Sequence, residues 1–300
     1  MNGVLDPAGP AAQALAGLSQ GLIVAAAAVF VLVMILLAWA LRARRALPRP
    51  GLLLALTGVA LPALLLSLLF VTTLPFGASW KPALPPGALV ISVTAHQWWW
   101  ELRYPGNIQG ANELHIPVGR PVYLALSSAD VIHSFWVPAL AGKRDMLPGR
   151  LLHLELQADQ AGVYRGVCAE FCGEQHGRMA LQVVAEPPAV FEAWLRAQAA
   201  PAAEPSSDQQ LRGRAVFLAQ RCNACHAVRG LSDEGGRGPD LTHFGSRMQL
   251  AAATLPNTQA ARRLWIAHVQ EIKSGARMPS YEHLDAESLD ALAGWLGALK

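Results

Sequence analysis

The stretch "CAEFCGEQHGRM", Cys168 to Met179, packs two cysteines, a histidine and a methionine into twelve residues. Two thiolates, an imidazole and a thioether select copper over zinc, because Met is a poor zinc ligand and a common weak axial ligand of copper. A mononuclear blue-copper site uses a single Cys with two His and a weak axial group, so the second Cys here is surplus to it. Two cysteines four apart on a loop can bridge two metal ions with both sulfurs. A second imidazole is then needed for the other ion, and "SADVIHSFWVPAL" supplies His133.

Runs with strand character surround this loop: "ALVISVTAHQWWW", "NELHIPVGRPVYLALSS", "RLLHLELQA", "GVYRGVCAEF" and "MALQVVAE". They are short, partly alternating and separated by Gly, Pro, Asn and Asp turns, the pattern of a β-sandwich or Greek-key barrel. "PPAVFEAWLRAQ" reads as a closing helix with Pro near its start. His96, His115 and His153 lie in the strand-like runs and read as surface or satisfied core histidines. The basic cluster "GKRDMLPGR" carries Lys143, Arg144 and Arg150, partly offset by Asp145, and reads as a solvated face or a weak subunit contact.

The remaining cysteines stand in "CNACH", Cys222 to His226, the C-x-x-C-H attachment signature of a c-type haem. Cys222 and Cys225 would carry the thioether bonds and His226 the iron. A thioredoxin-like pair would want a preceding strand, and a zinc site would want a second Cys or His pair at matching spacing. Met278 in "GARMPSY" is the candidate sixth ligand, with Met248 in "GSRMQL" as its rival. His/Met ligation suits electron transfer and leaves no open position. The segment is helical in character. Ser206, Ser207 or Asp208 can cap "QQLRGRAVFLAQ", and "ARRLWIAHVQEIKSG" reads as one helix ending at Gly275. After Asp285, Leu289, Leu292, Leu296 and Leu299 share one buried helix face. His243, His268 and His283 read as surface or pocket-edge groups. "AAPAAEPSSD", residues 199–208, is a linker by composition.

The N-terminal part belongs to a membrane. The chain has 300 residues, 53% of them hydrophobic, and a mean hydropathy of +0.28, too apolar for a purely soluble protein. Gly21 to Leu41 and Gly51 to Leu74 are uncharged apolar runs, each long enough as a helix to cross a hydrocarbon core of about 30 Å. The first twenty residues hold no Lys or Arg, so they do not read as a secretory signal. The connecting "RARRALPRP" is basic and reads as cytoplasmic, which puts both ends of the hairpin and all that follows on the outer side. Pro62 is expected to kink the second helix. The formal net charge of +3 gives no case for nucleic-acid binding.

With "DVIHSFWVP" and "CAEFCGEQHGRM" in place, the chain resembles subunit II of the haem–copper cytochrome oxidases. "HQWWWELRYP" matches that family's aromatic stretch, and the two-helix hairpin its membrane anchor. Residues from about Gln209 to Lys300 resemble a class I cytochrome c, through "RAVFLAQRCNACH", "GGRGPDLTHFGSR" and "SGARMPSY", as in the C-terminal extension of caa-type oxidases. The resemblance implies a multidomain membrane protein. Residues 1–80 would hold the transmembrane hairpin, 81–198 an all-β, cupredoxin-like Greek-key domain, and 209–300 an all-α cytochrome c domain beyond the linker.

For the metals it implies a binuclear Cu(A) centre bridged by Cys168 and Cys172. His133 and His176 would be terminal ligands, and Met179 and the Glu170 carbonyl weak axial ones. The Glu170 carboxylate would help bind Mg²⁺ at the contact with subunit I. The haem c would be covalent, with Pro239 supporting its proximal His. Trp98 matches the family's electron-entry tryptophan; its plainer role is packing the end of the barrel. The implied partners are oxidase subunits I and III, a soluble or membrane-bound cytochrome donor and membrane lipid. The implied place is a bacterial inner membrane with the metal domains periplasmic. Many relatives begin the second membrane helix with a Glu near a proton-channel entrance, whereas this chain reads "GLLLALTGVALP" there.

Two other functions compete. A membrane-anchored copper chaperone also combines C-x-x-x-C with a distant His, but carries that His downstream and usually has one membrane helix. A Cu(A)-bearing subunit of a nitric oxide reductase would use the same centre, and the co-purifying catalytic subunit would distinguish it.

Overall fold

The structure is a computed structural model describing residues 3–43, 49–78, 84–232 and 235–300. It divides into two compact units, residues 14–83 and residues 1–13 with 84–300.

The first unit is helical. α1 spans Pro10–Ala43, α2 Pro50–Ala55 and α3 Leu61–Ala78. The most apolar 18-residue window of each candidate span, Pro10–Arg42 and Pro50–Leu74, has no residue buried within the protein, as expected of surfaces that meet lipid. α1 starts eleven residues before the apolar run Gly21–Leu41 because helical hydrogen bonding does not need hydrophobicity: Pro10 suits a first helical turn, and Ala, Gln and Leu follow it. The expected distortion before Pro62 takes the form of a π-turn over Leu56–Ala60, where the Leu61 N–H bonds Leu56 O. Widening the turn accommodates a ring that cannot donate and would press on the preceding turn. Most of the basic connector and part of the Pro75–Pro86 exit segment lie outside the described residues; α3 itself continues past Leu74 to Ala78.

The second unit begins with a β-sandwich. Its strands are β1 (Leu89–His96), β2 (Trp99–Tyr104), β3 (Ile108–Ala111), β4 (Glu113–Pro117), β5 (Val122–Ser128), β6 (His133–Trp136), β7 (Arg144–Met146), β8 (Leu152–Leu156), β9 (Gly162–Cys168) and β10 (Ala180–Glu186). They form two five-stranded sheets, β3-β2-β1-β5-β8 and β4-β10-β9-β6-β7, the cupredoxin-like architecture. Alternation along β1 turns Ile91 and Val93 inward, against Leu124, Leu126, Leu114, Ile116 and Phe135, all fully buried. Burying each such side chain is worth about 1.5–3 kcal/mol. "ALVISVTAHQWWW" is not one strand but a hairpin, with Gln97 and Trp98 at its turn. That turn shares one rim of the sandwich with the start of β6 and the end of β9, where Phe135 pairs with Cys168.

α4 (Pro188–Gln198) closes the sandwich, its Trp194 ring stacked on His115. Residues 199–206 have no helix or strand, yet they are tied down: the Ala202 N–H donates to Arg229 O, and Arg229 donates to Ala199 O and Gln198 O.

The C-terminal part holds α5 (Asp208–Ala219), a short hairpin of β11 (Gln249–Leu250) and β12 (Leu255–Pro256), α6 (Gln259–Ala267), α7 (Val269–Ile272) and α8 (Ala286–Ala298). Ser207, Thr258 and Asp285 cap α5, α6 and α8 through their side chains. The single helix expected over "ARRLWIAHVQEIKSG" is broken at His268, whose extended-side φ/ψ of −123° and 43° ends α6. The β11–β12 hairpin was likewise absent from the all-α expectation; its strands are only two residues long. The predicted α8 face is buried at Leu289, Leu292, Leu296 and Leu299.

Candidate functional site

Two clusters carry the chemistry. The first sits on the sandwich rim. β9 ends at Cys168, the loop delivers Cys172 and a single 3₁₀ turn carrying His176, and Met179 stands immediately before β10. The backbone pins the loop: Cys168 N–H donates to Met179 O at 3.0 Å, and Ala169 N–H to Ser134 O at 2.9 Å. Cys168 and Cys172 are unbridged thiols with sulfurs 3.8 Å apart. His133 Nδ1 lies 3.8 Å from Cys168 Sγ, and His176 Nδ1 3.6 Å from Cys172 Sγ. Glu170 O is 3.2 Å from Cys168 Sγ, and Met179 Sδ 3.8 Å from Cys172 Sγ. Five donors of one loop thus converge with His133 from β6, and His133, Cys172 and Met179 are buried.

Two thiols this close do not ionise independently. Contact with Cys172 lowers Cys168 to about 3, against burial and with help from His133, and the same contact, then burial, pushes Cys172 up. Asp130 orients His133: its carboxylate takes the Nε2 hydrogen bond at 2.8 Å, leaving Nδ1 free for a metal. Burial pushes the Asp130 carboxyl up, but bonds to His133 and to the Gln97 and Val131 N–H groups outweigh it and hold it low. Soft sulfurs with oriented imidazoles and a carbonyl fit copper.

The second cluster lines a cavity of about 450 Å³. Cys222, Cys225 and His226 stand on its wall, with Met278 also lining it and Phe244, Ile266 and Leu292 among its apolar contacts. Met248 does not line it; that residue is 42% exposed. His226 Nδ1 is 2.7 Å from Pro239 O, which leaves Nε2 for a metal, and burial lowers its pKa so that the ring stays neutral. Gly238 is required beside it, because a Cβ there would fall 2.6 Å from the imidazole Cε1. An apolar cavity with a neutral imidazole and a thioether on its walls, beside two thiols, fits a haem.

The cavity also reaches the sandwich. His96, Gln97, Trp98 and Trp99 line it, and the Trp98 indole N–H donates to Cys172 O at 2.9 Å. The Gln97 amide donates to the same carbonyl at 2.8 Å. His96 was expected to be unremarkable; it stacks on Trp99 at 4.4 Å, bonds Glu101 and is not a donor to either cluster. The sequence offered no sign of Lys273, which is buried between the two clusters. His243 faces Ala200 O, His283 faces Gln220, and His268 faces Glu271.

Residues 107–186 match the family "Cytochrome C oxidase subunit II, periplasmic domain", and residues 210–300 match "Cytochrome c". Cytochrome c oxidase subunit 2 of Alkalihalophilus pseudofirmus is 37% identical over 253 residues, which cover 82% of this chain and 73% of that one. The chain belongs to the cytochrome c oxidase subunit 2 family. The Bacillus subtilis subunit 2 is 30% identical, over 81% of this chain and 70% of that one. The crystal structure of the periplasmic domain of subunit II of cytochrome oxidase (CoxB) of Bradyrhizobium japonicum is 29% identical over 39% of this chain and 96% of that one, with a TM-score of 0.36. Subunit 2 of a cytochrome c oxidase transfers electrons within a terminal oxidase, in association with subunit I. Its cytochrome c domain implies haem, its subunit II domain implies copper, and its two apolar helices fit a membrane anchor for an extracellular domain.

Proposed function

We propose that the chain passes electrons from a covalent haem c, held by Cys222, Cys225, His226 and Met278, to a binuclear Cu(A) centre and on to the catalytic subunit. Cys168, Cys172, His133, His176, Met179 and Glu170 O would hold that centre. The bound groups supply one-electron redox chemistry at little structural change.

The protein's share is orientation and exclusion of water. Asp130 fixes the His133 tautomer, Pro239 O fixes His226, and burial of His133, Cys172 and Met179 keeps solvent from the donors. Trp98 is the entry residue: its ring borders the haem-side cavity while its N–H is bonded to a bridging cysteine's carbonyl. That bond is the observation that carries the reading.

The Glu170 carboxylate, half-buried in the same loop, is the candidate Mg²⁺ ligand toward subunit I. Exposed Phe171, Val131 and Ile132 beside the copper donors suit an apolar contact with that subunit. Subunit III and a cytochrome donor complete the assembly. The domain limits read from the sequence remain the working division, and the location is the bacterial inner membrane with both termini and the metal domains periplasmic. Contact of the N-terminal segment with the sandwich supports this side assignment: Ala8 N–H donates to Ala139 O, and Asp159 N–H to Ala8 O.

The test is electron paramagnetic resonance on the full chain, matured with copper and haem. Hyperfine splitting from one spin shared by two equivalent copper nuclei is expected. A single-copper spectrum, or low-spin haem alone, would overturn the assignment.

A further inference from the structure

The haem-binding part does not merely hang from a tether; it is gripped by the copper loop. Segment Ile272–Gly275 lies against residues 174–178. The Gln175 amide donates to Ser274 O at 3.0 Å, Arg178 donates to Ile272 O, and Ser274 donates to the Glu174 carboxylate. Gly275 sits where a Cβ would be 3.3 Å from the Trp98 ring. At the centre is Lys273, only 4% exposed. Its ammonium donates to three carbonyls: Trp98 O at 2.8 Å, Arg178 O at 3.0 Å and Ala251 O at 3.2 Å. Three donors meet three acceptors, so the cation's hydrogen bonds are all satisfied although no carboxylate faces it. Trp98 and Arg178 belong to the copper-binding sandwich, and Ala251 to the haem-binding part.

A second observation concerns the backbone that meets Lys273. Ala251, Ala252 and Ala253 have φ of 55°, 57° and 60°, three successive left-handed residues with side chains. That backbone is disfavoured for any residue carrying a Cβ and persists where surroundings over-determine it. Here it turns Ala251 O toward Lys273 and Ala252 O toward the Ala180 N–H, 3.3 Å away on the sandwich. Burial lowers Lys273 to about 7, and the three carbonyls are what favour its charged form there.

We infer that Lys273 is a positioning residue: by tying Trp98, Arg178 and Ala251 together it locks the haem pocket against the Trp98 turn, so that haem-to-copper transfer runs in one fixed pose. The inference rests on the electron-transfer reading above, but the pose itself can be tested without either metal. A swinging tethered domain is the competing arrangement.

The measurement is hydrogen exchange on the full chain, metal-free and matured, for wild type, K273M and K273R. The bonds from Ala180 N–H to Ala252 O and from Met248 N–H to Glu113 cross the contact. In K273M these two amides should exchange about 10- to 100-fold faster, the loss of a charge-assisted hydrogen bond, while amides inside β1, β5 and α8 stay protected. In the matured oxidase, haem-to-copper transfer should slow with unchanged haem absorbance and copper resonance, and K273R should restore both readouts. Equal protection and equal rate in K273M would overturn the inference.

Should K273M not fold, amine acetylation of the wild type decides: Lys273 should react about 100-fold slower than exposed Lys143, the protection expected of an ammonium exposed only by local opening, and equal reactivity would overturn the locked pose. Loss of the two-copper signal in wild type would instead strike the underlying reading and leave the exchange result standing.

Discussion

The copper rim and the haem pocket solve the same task, holding a redox group, in opposite ways. The rim belongs to a sandwich whose core of Ile91, Leu124, Leu126 and Phe135 extends to Cys168, Cys172 and Met179. Its donors already stand 3.2–3.8 Å from one another. The haem pocket is a cavity within its domain's own core: Phe217, Leu241, Phe244, Ile266, Leu292 and Leu296 are core residues and cavity wall at once. Copper would therefore bind at the rim of a packed sandwich, whereas a haem would lie among the core residues of its own domain. A haem held there would supply dispersion contacts of the kind packed interiors rely on.

The largest expected effect follows from that contrast. In a C222A/C225A chain lacking haem, the C-terminal helices should lose most of their protection against hydrogen exchange, at a cost of several kcal/mol, as happens when a cavity-lining group is removed. The sandwich amides should keep theirs. Removing copper by chelation should leave both sets protected. If chelation unfolded the sandwich instead, the contrast between the two regions would be wrong.

A smaller effect tests the rim's preorganisation. D130N replaces the acceptor that fixes His133 and should weaken copper binding about 10- to 100-fold, the usual cost of losing an orienting partner. Competition with a calibrated copper chelator measures it, and unchanged affinity would show that β6 alone orients the ring. W98F comes next. It keeps an aromatic ring beside the cavity but loses the bond to Cys172 O. One neutral hydrogen bond is worth about 0.5–1.5 kcal/mol, so haem-to-copper transfer should fall roughly tenfold or less, read by transient absorbance after rapid reduction of the haem. A rate unchanged in W98F would move the entry path to Trp99, which lines the same cavity.

What was legible in the sequence was whatever is local. The five candidate donors of "CAEFCGEQHGRM" and the three of "CNACH" are set by spacing within one loop each, and the face of α8 by its period. The copper donors do converge with His133, which required only that β6 and β9 be neighbours. Non-local placement left no trace. Nothing in the sequence marks Lys273, yet packing of two domains buries it. Ala251–Ala253 carry no turn residue, so nothing in their composition predicts three left-handed φ angles. β6 and β7 are four and three residues long, too short for alternation to register. The break at His268 lacks the Gly or Pro that would have marked it.

The smallest expected effect separates the two regions by charge. The cavity wall has no Asp or Glu among its described residues, whereas the rim rests on two half-buried carboxylates, Asp130 and Glu101. Burial raises Glu101, but bonds from His96 and Arg103 outweigh it and hold it low, as the His133, Gln97 and Val131 bonds do for Asp130. A carboxylate whose folded pKa lies below its unfolded value binds fewer protons in the folded state, so its stabilisation is fully present above the unfolded pKa of about 4 and is lost as pH falls through the folded pKa. The metal-free sandwich should therefore weaken as pH drops below about 4, seen as a falling denaturant midpoint for the sandwich amides. D130N should be less stable than wild type near neutrality and should approach it in acid, because the substituted amide has no proton to take up. A constant gap between the two curves at every pH would mean that Asp130 acts on the rim through shape alone, and that its charge adds nothing to the folded state.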